Sequence, residues 1–247
     1  MPRSYSSYIK EIHKQTGYLA IWPPDLHLEL GTILRKEGAL YTAYSSLSSL
    51  GIRFDDVEDP TAATWVYQTE GGVELTFKGS GEASPTGWDP VSKIEAGLQI
   101  VFRRNHGLIV ALSGIRERRI GDLRTVDAAI LNLPEGEWDA DFAVVTQVRD
   151  AACATILLAT SSGARLEVHA KAGIRELADL ANPEVKLSIK HGANLSQQFV
   201  AKQGMTPFFR ARRLKQSILA PATHLVAMSD DDSSFFEMVT PDELLNE

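Results

Sequence analysis

His27-Leu28-Glu29 is an H-x-E triplet, the motif with which zinc deaminases bind a metal and move a proton. Those enzymes complete the site with P-C-x-x-C, and this chain has one cysteine, Cys153, so the completion is missing. In an extended segment, residues two apart share a face. His27 and Glu29 therefore read as a solvent-facing polar pair. Glu167 and His169 have the same spacing and could work as an acid and a base on one strand face. Cys153 sits in the apolar run Ala151 to Leu158 and reads as a buried small hydrophobe, not a reactive thiol. No G-x-S-x-G, S-x-x-K, H-E-x-x-H or C-x-x-C occurs, and Gly79-Ser80-Gly81 runs into Glu82 without G-K-[ST]. The expectation is a protein with no catalytic residues, no metal site and no cofactor. An enzyme built on Glu167 and His169 is the rival.

Charge is the stronger signal. Lys186, Lys190, Lys202, Arg210, Arg212, Arg213 and Lys215 follow one another with no acidic residue between Lys186 and Lys215. Asp230, Asp231, Asp232, Glu237, Asp242, Glu243 and Glu247 follow with no Lys or Arg. Adjacent blocks of opposite sign can hold each other, and either can be released to another partner. A second basic region contains Arg103 and Arg104, and then Arg116, Arg118, Arg119 and Arg124. Arg103, Arg104, Arg116, Arg118, Arg119, Lys202, Arg210, Arg212, Arg213 and Lys215 are candidates for contact with anionic lipid headgroups, at about 1 kcal/mol per well-placed residue. Asp230, Asp231, Asp232, Phe235, Phe236 and Glu237 are the candidate inhibitory tail.

These residues must be carried by a fold. The apolar positions Tyr5, Tyr8, Ile9 and Ile12 predict a helix over 4–15, stopped at Gly17. Tyr18 to Trp22 reads as a strand ended by Pro23-Pro24, and Leu26, Leu28 and Leu30 alternate as another. Residues 31–44 predict a strand pair turning at Lys36-Glu37-Gly38, and 45–51 a turn or short helix. Strands at 64–69 and 73–78 flank Glu70-Gly71-Gly72, a hairpin signal. Strands at 93–102 and 108–112 flank Arg103 to Gly107 and suggest a second hairpin with a basic tip. Leu108 to Leu112 is apolar on both faces, as a fully buried strand would be. Residues 115–131 suggest a helix. Strands follow at 142–148, 155–160, 166–170 and 185–190, with a short helix near 174–180. A helix at 208–219 is the weakest of these patterns. Residues 241–245 predict a last helical turn capped by Thr240, with Pro241 at its first position.

This order lacks a regular βαβ alternation. It predicts a single-domain α+β protein with a mainly antiparallel twisted sheet and peripheral short helices, over 1–220, followed by an acidic tail over 221–247. With 44% apolar residues, 23% charged residues and a net charge of −7, the chain has material for a sizeable core and is unsuited to general nucleic-acid binding. No apolar run reaches membrane-spanning length, no signal sequence is evident at the start, and no disulfide can form. The expected location is cytoplasmic.

The opening helix, Tyr5-Ser6-Ser7-Tyr8-Ile9-Lys10-Glu11-Ile12, is followed by strands and a long loop. Lys93-Ile94-Glu95-Ala96-Gly97-Leu98 then leads to Val110-Ala111-Leu112, and Asp141-Phe142 leads into Val144-Val145-Thr146-Gln147-Val148. Over residues 4 to 215 this order resembles the pore-forming domain of gasdermins, where an acidic residue and an aromatic precede a similar V-V-T-x-V strand. Bacterial members carry a lipidatable cysteine near the N-terminus, and positions 1 to 20 hold none here. The resemblance implies an autoinhibited pore former of bacterial defence. An activating protease would remove the tail, with Pro221 to Asp232 as the stretch to inspect. Docking on anionic membrane lipids, self-association and a β-barrel pore would follow. The alternative is a non-catalytic interaction or scaffold protein whose acidic tail docks on a partner or on its own basic segment.

Overall fold

The computed structural model describes residues 3–23, 26–37, 40–59, 63–78, 97–170, 174–215 and 236–245. Its first element follows the apolar spacing. Tyr5, Tyr8, Ile9 and Ile12 are all buried on α1 (Arg3–Thr16). Gly17 stops the helix in the left-handed conformation, φ +69°, and its N–H donates to the His13 carbonyl at 2.7 Å. Next come β1 (Leu19–Ala20), β2 (Thr32–Glu37), β3 (Leu40–Ser46), a 3-10 turn over Ser48–Leu50, β4 (Asp56–Glu58), β5 (Ala63–Gln68), β6 (Val73–Lys78), β7 (Gly97–Phe102) and β8 (Leu108–Ile120). The chain continues through α2 (Leu123–Leu131), β9 (Phe142–Ala159), β10 (Arg165–Ala170), a second 3-10 turn over Leu177–Ala181, β11 (Leu187–Ala193), β12 (Leu195–Leu214), β13 (Phe236–Met238) and α3 (Pro241–Leu245).

The fold is α+β, and every ladder among the described residues is antiparallel. The long strand β9 organises the larger sheet. β12 runs along one of its edges, while β2 and then β8 share the other. β3 pairs with β2, β4 and β5 pair with β8, and β1 and β13 occupy the outer edge of β12. The smaller sheet has the order β11-β10-β7-β6. It covers one face of β8 and β9, where Ile109, Ala111, Leu157 and Ala159 meet Leu98, Ile100, Leu166 and Val168. The other face of the same strands, with Val110, Leu112, Ile156 and Leu158, joins the core that also holds α1, α2 and β13. Burial on both faces explains the continuous apolar run at 108–112. It also buries Cys153, whose thiol is pushed up by desolvation.

Several expectations need correction. Residues 73–78 form a strand, but β5 and β6 are no hairpin: β5 pairs with β8 in the larger sheet and β6 with β7 in the smaller one. Glu70-Gly71-Gly72 is therefore a corner between sheets. Arg103 to Gly107 is a second corner, because β7 belongs to the smaller sheet and β8 to the larger. Residues 115–120 extend β8, and the helix begins only at Leu123, where Asp122 caps it by accepting from Arg124 N at 3.0 Å and Thr125 N at 3.3 Å. Arg116, Arg118 and Arg119 consequently lie on a strand. The strands expected at 142–148 and 155–160 are one, β9. No ladder forms at 26–30, and 208–214 is strand. The β2–β3 pair, the turn at 48–50 and the capped helix at 241–245 match expectation. The Gly79–Pro90 loop, residues 93–96 and the 220/221 boundary lie outside the described residues.

Candidate functional site

Register places the basic residues. Arg119 on β8 is the ladder partner of Gln147 on β9, and Gln147 is the partner of Arg210 on β12. One row across the sheet thus carries two guanidinium groups flanking an amide. Arg212 and Arg213 follow on β12, and Arg118 precedes Arg119 on β8. Arg103 and Arg104 sit by Leu108, whose ladder partner is Leu158 at the far end of β9. From Gln147 to Leu158 the strand spans roughly 35 Å at its ordinary rise. The two basic groups therefore occupy opposite ends of the sheet. Arg103 is paired with Glu74, while Arg104 is exposed beside Gly71. Arg116 is 3.6 Å from Glu58, Lys202 is exposed mid-strand, and Lys215 is half-buried where the chain leaves β12.

At the first end, each guanidinium has a different task. Arg118 binds three carboxylates, Asp150 at 2.9 Å, Asp56 at 3.0 Å and Glu29 at 3.2 Å, and so joins β8, β9, β4 and the 26–30 segment. Glu29 also faces His27 Nε2 at 2.5 Å, and His27 Nδ1 lies 2.8 Å from Thr206 Oγ1. Burial alone would raise the Glu29 carboxyl, but hydrogen bonds from His27 and Arg118 outweigh it and hold the group below its ordinary value. Arg149 and Arg210 stack on the Tyr18 ring at 4.2 Å and 4.3 Å. Arg149 also engages Glu117 at 2.9 Å. Arg210 is held by neutral groups, donating to the Gly17 carbonyl at 3.1 Å and to Gln147 Oε1 at 3.2 Å. Arg212 pairs with Asp127 of α2 at 3.0 Å.

The acidic tail docks at this same end. β13 extends the outer edge of β12 with Arg212↔Met238, Arg213↔Glu237 and Leu214↔Phe236 as partners. Past the strand, Val239 N donates to the Ala211 carbonyl at 2.9 Å. Phe236, Val239 and Leu245 are buried in the main core, and Arg212 lies over the Phe236 ring at 5.4 Å. Arg213 pairs with Glu237 at 2.9 Å and with Glu243, and Lys10 of α1 lies 3.6 Å from Asp242. A capping box holds α3, with Thr240 N donating to Glu243 Oε2 at 2.8 Å. Asp230, Asp231, Asp232 and Phe235 lie outside the described residues, as does the stretch Pro221 to Asp232.

Two features of the docked tail were not legible in the charge pattern. Its anchors are apolar side chains in a β-ladder, joined by the Arg213 ion pairs and by Arg212, which lies over the Phe236 ring and donates to the Phe236 carbonyl at 3.4 Å. β13 has three residues, too few to signal a strand, whereas Thr240 and Pro241 did signal the helix after it.

The other candidate chemistry is dispersed. His169 Nε2 lies 3.0 Å from Glu167 Oε1, and the histidine is 6% exposed beside Gly97. His27 and Glu29 do share a face, in a segment without a ladder. Among the described residues no three His, Cys, Asp or Glu side chains converge as metal ligands, and no helix is long and apolar enough to cross a membrane. No known protein family matches the chain in sequence, and no curated protein does.

Proposed function

We propose that the chain is a gasdermin-like, tail-inhibited protein that permeabilises membranes once its acidic C-terminal segment is released. The observation that carries this reading is the docked strand β13. It closes the outer edge of β12 beside Arg210, Arg212 and Arg213. Its hold combines one short ladder, three buried apolar side chains and a few partly exposed ion pairs, a set small enough to be lost in one step. Release uncovers the β12 edge and frees Arg213, the change a membrane-docking surface needs. The extended antiparallel strands also suit a barrel, which satisfies backbone hydrogen bonds within lipid. The roles assigned are membrane contact for the basic end, inhibition for Phe236 and Glu237, and no catalysis.

A second reading draws on the same edge. An open β12 strand accepts an added strand, so a partner protein could take the place of β13. Dye release from anionic liposomes separates the two. The full chain is compared with protein cut after Ala220. Leakage from the cut protein alone supports permeabilisation. Leakage from neither, with a stable complex on a partner strand, supports the interaction protein.

A further inference from the structure

A cavity of about 470 Å³ opens between the end of α1, the end of β8, β12 and the tail. Arg119, Arg210 and Arg212 line it together with His13, and Met238 to Thr240 form the wall contributed by the tail. No Asp or Glu is among its described lining residues. The charges do not balance inside it. Arg212 is neutralised by Asp127, and the nearby Glu117 is engaged by Arg149. Arg210 is held by a carbonyl, an amide and a phenol ring, and it shares the single carboxylate of Glu117 with Arg149. Arg119 is exposed and has no ion pair among the described residues. His13 Nδ1 is buried without a hydrogen-bond partner.

Arg119 without an ion pair among the described residues, and Arg149 and Arg210 with one carboxylate between them, leave an excess of two positive charges, which matches a phosphate dianion, and the forked geometry of arginine suits that group. The volume suits a small phosphorylated molecule or one lipid headgroup. We infer that this cavity is a phosphate-binding site, and that its occupant braces the tail. A ligand touching both β12 and the Met238 to Thr240 wall binds the docked state better than the undocked one, so occupancy favours docking. The inference stands whether or not the chain permeabilises membranes, because it concerns the closed form.

The test uses the full chain and inorganic pyrophosphate, titrated by calorimetry at ionic strength matched with sodium chloride. Vesicles of phosphatidylcholine with and without phosphatidic acid form a second arm. Arg119→Ala is expected to weaken binding about tenfold, the loss of one charge-assisted contact. Arg165→Ala, exposed on β10 of the smaller sheet, leaves it unchanged. Because Arg119 is exposed, its melting temperature serves as a folding check, with Arg119→Gln as the reserve variant. At pyrophosphate one hundred times its Kd, amide exchange of residues 236–245 slows about a hundredfold. Arg119-dependent binding of pyrophosphate supports a soluble phosphate ligand. Arg119-dependent binding only to phosphatidic acid vesicles supports a headgroup. No binding in either arm, or equal effects of the two alanine variants, overturns the site. Binding without slower exchange in the tail overturns the brace.

Discussion

Arg213 and Glu237 meet twice, as partners across the β12–β13 ladder and as an ion pair at 2.9 Å. The same guanidinium reaches Glu243 on α3, so one side chain of the basic strand holds both ends of the docked segment.

Glu237 is partly exposed, so its pair with Arg213 is screened. A double-mutant cycle with Arg213→Ala and Glu237→Ala is expected to give a coupling of about 0.5 kcal/mol, falling as salt rises. Amide exchange of residues 236–245 reads it. A salt-independent coupling would refute the screened-pair account.

Phe236 is the stronger anchor. Phe236→Ala removes a ring that is 3% exposed and should cost about 3 kcal/mol, concentrated in undocking of the tail. Protease nicking of 236–245 should rise about a hundredfold while the rest of the fold stays protected. On the proposed function, the uncut variant also leaks dye from anionic liposomes.

Arg118 supports the body of the sheet. Arg118→Ala strands Asp150 among strands and should destabilise the fold by about 2 kcal/mol, less than a fully buried pair because water reaches the other two carboxylates. Arg116→Ala, whose partner Glu58 is 3.6 Å away at the surface, should change the urea midpoint by no more than about 0.5 kcal/mol in equivalent stability.

The sequence made the strands visible but not their partners. Alternation and Gly-Gly marked β5 and β6 correctly, yet alternation is the same whether a strand turns back on itself or crosses to another sheet. The step from Ile115 to Ile130 imitated a helical period because a strand end and a short helix supply buried residues in succession. Arg149 and Asp150 fall between the strands expected at 142–148 and 155–160. Their charges are met from β8, by Glu117 and Arg118. β12 lost its alternation to register shifts between Met205 and Phe208 and between Arg210 and Ala211, which bring Phe208 and Phe209 both into the core. The basic and acidic blocks do meet, through Arg213 with Glu237 and Glu243. The row Arg119-Gln147-Arg210 was hidden because its members come from three distant segments.

Acid should loosen the Arg118 region. The Glu29 carboxyl is held below its ordinary value, and so is Glu117, where the nearby Tyr18 and Arg149 outweigh the effect of burial. A depressed carboxylate contributes stability that is present above the unfolded value and lost as pH falls through the folded one. The melting temperature should therefore drop as pH falls below 4.5, and Glu29→Gln should flatten part of that drop.

Two glycines share one backbone conformation in different surroundings. Gly31 and Gly51 both have φ +73°, but a Cβ on Gly31 would lie 2.5 Å from Phe54 Cε1 whereas one on Gly51 meets nothing within 4 Å. Gly51→Ala should cost about 1 kcal/mol from backbone strain. Gly31→Ala should cost about 3 kcal/mol, because the Phe54 ring must also move. Equal urea midpoints would show that the ring yields freely.

The edge strand β1 has one ladder partner among the described residues, β12, through Leu19↔Phe209 and Ala20↔Phe208. During synthesis, α1 and β1 leave the ribosome long before their partner β12. The apolar face of Tyr5, Tyr8, Ile9 and Ile12 then waits, incompletely covered, through most of translation. A nascent-chain chaperone would find a long-lived target in that helix, and a ribosome stalled before Phe208 would present it unshielded.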